Sequence, residues 1–95
     1  MVSIKEAAEN AKSFAQAALG PERTRGIRLE EVESTTIAGE DTWLITLSMV
    51  LPPEDDPMGA AAAILGKPKR TYRTFTVIKR DGEVTSMKIR ELADA

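Results

Sequence analysis

The sequence predicts an α+β fold, with one N-terminal helix packed on a four-stranded antiparallel meander sheet. Three observations predict it. Residues 3–19 carry apolar side chains at helical spacing and end at Gly20-Pro21. Residues 42–51 alternate between two faces in the manner of a strand. Arg80-Asp81-Gly82 lies between two β-rich runs, 70–79 and 83–90, and Asp-Gly in that setting signals a hairpin.

The helix comes first. Ser3 and Glu6 have capping-box spacing, so each side chain can satisfy a backbone N–H left free in the first turn. Ile4, Ala7, Ala8, Ala11, Phe14, Ala15, Ala18 and Leu19 form one stripe, and Lys5, Glu9, Lys12 and Gln16 the other. The alanines imply close approach to a sheet, with Phe14 as the bulky anchor. Residues 27–38 read as the first strand. Ile27 and Leu29 share one parity and Val32 the other, which predicts a bulge near Glu30-Glu31.

After a turn at 38–41, the second strand puts Trp43, Ile45, Leu47, Met49 and Leu51 on the helix side. Leu44, Thr46, Ser48 and Val50 fall on the other side. A short turn at Gly39-Glu40 sets Val32 opposite Leu47. Residues 52–69, PPEDDPMGAAAAILGKPK, form a long connection whose prolines cannot donate to a sheet ladder. In the last hairpin a three-residue loop sets Phe75 opposite Met87 and Val77 opposite Thr85, with Gly82 at a left-handed bulge position. Phe14, Trp43, Ile45, Leu47, Phe75, Val77, Met87 and Ile89 are then the expected core, in a single domain spanning 1–95.

Composition excludes whole classes of chemistry. The chain has no cysteine and no histidine, so it has no disulfide, thiol nucleophile, histidine base or Cys/His zinc site. The net charge of −2 carries no basic excess of the kind that nucleic-acid binding uses. No apolar run approaches the roughly 18 residues of a membrane-spanning helix. No secretory leader pattern is visible at the N-terminus, so a cytoplasmic protein is expected. Glu54-Asp55-Asp56 lacks the ligand spacing of an EF-hand loop and reads as solvated charge. No cofactor is expected.

One family resemblance is carried by the two ends of this pattern. The helix opening Ser3-x-Lys5-Glu6-Ala7 and the closing segment Tyr72-x-x-Phe75-x-Val77, followed by Gly82-Glu83-Val84, resemble PepSY-type and cystatin-like small domains. Gly82, Glu83 and Val84 match the PepSY turn, whereas Ile78 stands where that pattern has Asp, and Asp81 where it has Thr. The resemblance covers the first helix and last hairpin. It implies a domain that binds, and in protease propeptides inhibits, another protein. Similar small helix-plus-sheet domains serve as immunity proteins.

Two features point to an interaction surface. Met58, Ile64 and Leu65 lie in an apolar stretch inside the long connection, either capping the core or docking on a second chain. Leu44, Val50, Tyr72, Ile78 and Val84 fall on the outer face of the sheet, which is more apolar than a fully solvated face requires. The expected function is a non-catalytic protein-binding module whose partner is another protein or a second copy. The alternatives are a toxin-neutralising immunity protein, and a small-ligand domain or enzyme using carboxylates between helix and sheet.

Overall fold

A computed structural model of the chain describes residues 1–51 and 69–90. The expected connection, with Met58, Ile64 and Leu65, lies outside the described residues apart from Lys69. Helix α1 spans Ile4–Leu19 and is followed by strands β1 (Arg28–Ile37), β2 (Glu40–Val50), β3 (Arg70–Ile78) and β4 (Val84–Arg90). The sheet order is β1-β2-β3-β4 with every pair antiparallel, so the helix packs on a four-stranded open meander.

The helix starts where its capping residues stand. Ser3 Oγ accepts the Glu6 N–H at 3.1 Å, and Glu6 Oε1 accepts the Ser3 N–H at 3.3 Å. Both groups would otherwise be left without partners in the first turn. Gly20 ends the helix with a φ of 85°. The helix buries Ala7, Ala8, Ala11 and Ala15, so small side chains let it lie close on the sheet. Beneath them Ile45, Leu47, Met49, Phe75 and Val77 are fully buried.

Phe14 is a partial exception to the expected core. Its ring meets Phe75 edge-on at 6.3 Å between centroids, yet 38% of the residue is exposed. The alanine row seats the helix, and Phe14 caps the side of that contact. Ile89 also departs from expectation, at 66% exposed. Its face is the helix side, opposite Arg73, but no described element covers it there.

The two-residue turn Ala38-Gly39 joins β1 to β2, with φ of 50° and 81°. Positive φ at both central residues matches the right-handed twist of the strands it joins. This tight turn sets Val32 opposite Ile45, not Leu47, which pairs with Leu29. The register shift between Leu29 and Glu31 is the expected bulge. In the last hairpin Phe75 pairs with Met87 as the parity predicts. A second shift follows, and Val77 pairs with Val84 instead of Thr85. Thr85 is the extra residue, and the bulge turns Val84 from the outer face onto the core.

Candidate functional site

The face of the sheet turned away from α1 is covered by no described element. Cross-strand pairing lays its side chains out in rows. Arg28, Ser48, Tyr72 and Arg90 make one row; Glu31, Thr46, Thr74 and Lys88 the next; Glu33, Leu44, Thr76 and Ser86 a third. Thr35, Thr42 and Ile78 follow. Of the residues expected on this face, Leu44, Val50, Tyr72 and Ile78 are there, each half-buried. Val84 is not, because of the bulge at Thr85.

Among these apolar positions runs a polar network that fixes the surface. Ser48 is fully buried and Thr46 nearly so, which leaves the centre of β2 covered on both faces. The Ser48 hydroxyl donates to Glu30 Oε2 and accepts from Arg70 Nε at 2.9 Å. Arg70 also donates to the Gly26 carbonyl, tying the helix-to-sheet connector to β3. Arg28 Nε reaches Glu30 Oε2 at 2.7 Å. The Ser48 hydroxyl first, and the Arg28 guanidinium next, hold the Glu30 carboxyl below the usual carboxylate range.

A second group spans the sheet. Arg90 Nη1 donates to Thr46 Oγ1 at 3.1 Å and to Glu31 Oε2 at 3.0 Å. In a flat sheet β1 and β4 lie about 14 Å apart, so these two long side chains lean over the intervening strands to meet. Thr46 and Thr74 share a hydroxyl contact at 3.1 Å, and Ser86 donates to Thr76 at 2.7 Å.

Sequence reading found the apolar members of this face and missed the charged ones. Arg28, Arg70, Arg90 and Glu30 stand at intervals that suggest ordinary strand-edge charge. The signal was the shared parity of Arg70, Tyr72 and Thr74, which puts an arginine and the one tyrosine on one face. Trp43 takes the structural role expected of it. Its Nε1 donates to the Val2 carbonyl at 3.3 Å, and Lys79 Nζ sits 4.1 Å from the ring centroid.

Among the described residues no group of three or more carboxylates is placed to hold a metal ion. No helix among them is long and apolar enough to cross a membrane. Compared with known proteins, the chain matches no family model, no curated protein and no solved structure.

Proposed function

We propose that the chain is a non-catalytic protein-binding module of cystatin- or PepSY-like architecture that acts in the cytoplasm and engages its partner through the outer face of the sheet. The observation that carries this reading is the composition of that face. Tyr72 stands between Ser48 and Arg90, with Arg28 beyond Ser48, and Leu44, Val50 and Ile78 supply apolar patches nearby. Tyrosine and arginine are the residue types that protein interfaces enrich and that dominate binding energy. The buried Ser48 and Thr46 hydroxyls hold Arg90 directly and Arg28 through Glu30 before any partner arrives, which lowers the ordering entropy of association. The resemblance of the first helix and last hairpin to protein-binding domains supports the same reading.

The test is capture from the native cell extract with three baits. Wild type and a helix-face control, Lys5→Glu, should retain the same specific protein. Tyr72→Ala combined with Leu44→Glu should lose it while keeping a native circular dichroism spectrum. Equal retention by all three baits would contradict the assignment of this face.

A further inference from the structure

We propose that copies of this chain also join head to tail, the β4 edge of one copy pairing with the β1 edge of the next. This rests on the backbone groups and charges of the two edge strands and not on Tyr72, Leu44 or Ile78, so it stands apart from the partner-binding reading. Among the described residues β1 and β4 each pair on one side only. Their charges are opposite. β1 carries Glu30, Glu31 and Glu33 against Arg28, whereas β4 carries Lys88 and Arg90 and no carboxylate.

The backbone phase of the two edges agrees. Lys79 N–H donates to the Asp41 carbonyl, so Asp41 faces β3 and its neighbour Thr42 faces β1. Alternation then turns Thr35, Glu33 and Glu31 toward β2 and leaves Val32 and Ser34 pointing outward. Ile78 N–H donates to the Glu83 carbonyl, so Ile78, Thr76 and Thr74 face β4. Their partners Ser86 and Lys88 face inward, and Met87 and Ile89 point outward.

One antiparallel register satisfies all of this. It sets Ile89 opposite Val32 of the neighbouring copy and Met87 opposite its Ser34, which joins the outward backbone groups. The same register sets Arg90 opposite Glu31 of that copy and Lys88 opposite its Glu33, all on the outer face. It brings the 66% exposed Ile89 beside a half-buried valine on the helix side. Both bulges, at Glu30 and Thr85, lie outside the paired stretch.

Direction agrees as well. In a meander β1 and β4 run antiparallel, so a neighbour displaced across the sheet offers an antiparallel strand with its helix on the same side. Arg90 already pairs with Glu31 of its own sheet. Lys88 and Glu33 have no ion pair among the described residues and supply the new contact. Pairing of two β4 edges would instead concentrate like charges. A head-to-tail contact has no two-fold axis, so it builds rings or filaments and not a closed dimer.

Sedimentation velocity of the full chain tests this, using wild type, Glu33→Lys and Lys88→Glu. Wild type should exceed the mass of two copies as concentration rises and should dissociate with salt. Each variant, with a native circular dichroism spectrum, should associate about tenfold more weakly, since a like-charge pair replaces an opposite one. An equimolar mixture of the two variants should regain wild-type association, because each then offers the other a complementary edge. Should either variant fold poorly, Glu33→Gln and Lys88→Gln should each associate more weakly and with a smaller salt dependence than wild type. A wild type that stays monomeric, a mass that stops at two copies, or a mixture no better than its components would overturn the proposal.

Discussion

Gly82 is held to glycine twice over. Its φ is 77°, and a Cβ built there would stand 2.6 Å from Asn10 Nδ2 and 3.0 Å from Val2 Cγ1. Left-handed backbone alone costs a residue with a Cβ roughly 1–2 kcal/mol. Gly82→Val should therefore lower stability by more than about 2 kcal/mol in urea denaturation, the crowding adding to the strain. Asn10 donates to the Gly82 carbonyl at 3.0 Å and ties helix to turn. The turn glycine was legible in the sequence, because Asp-Gly between β-runs admits few conformations. Its contact with the helix was not, since no local pattern reports which helix face meets a distant turn.

Arg73 shows a different kind of residue-scale tension. It lies between Leu47 and Ile89 on the helix side, and its Nε is the one buried side-chain polar atom without a hydrogen-bond partner among the described residues. An unsatisfied buried donor costs about 1–3 kcal/mol. Arg73→Met keeps the side chain as far as the Nε position, where it sets a methyl group in place of the donor, so it should raise the thermal midpoint. A lowered midpoint would mean that the guanidinium contributes more through its other nitrogens than the Nε burial removes.

At the scale of elements, the helix depends on its start and on its alanines. Ser3→Ala removes the side-chain acceptor of the capping box and should cost about 1 kcal/mol. Phe14→Ala should cost about 2 kcal/mol, below the roughly 3–5 kcal/mol of a fully buried phenylalanine, because over a third of the residue faces solvent. Both values are read from denaturant midpoints at constant slope. The helix bounds, the parity of β2 and the Glu30 bulge could be read from spacing, which is local information. Val84 and Val32 could not be placed, because one extra residue at Thr85 and a tight turn at Ala38-Gly39 each reset a register. Ile89 has the predicted parity but lacks a cover, since parity fixes a face and not what lies above it.

At the scale of the molecule, the outer face couples charge to stability. The Glu30 carboxyl is held below its usual range in the folded chain by Ser48 and Arg28. Its contribution is therefore full above the unfolded carboxylate pKa and is lost as pH falls through the lower folded value. Glu30→Gln should flatten the acid limb of the stability curve and leave neutral-pH unfolding two-state. An acid limb identical to that of wild type would show that the Glu30 network contributes nothing to folding.

The apolar members of that face were legible from alternation, and its arginine network was not, because ion pairs between distant strands leave no spacing in the sequence. The chain's lone tryptophan and lone tyrosine lie on opposite sides of the sheet, Trp43 under the helix and Tyr72 on the outer face. Hydroxyl-radical footprinting of the free chain and of its complex with the captured partner reads both sides at once. Binding through the outer face predicts strong protection of Tyr72, Leu44 and Ile78, with Trp43, Phe14 and Ile4 unchanged. Protection of Phe14 and Ile4 with Tyr72 left as reactive as in the free chain would contradict it.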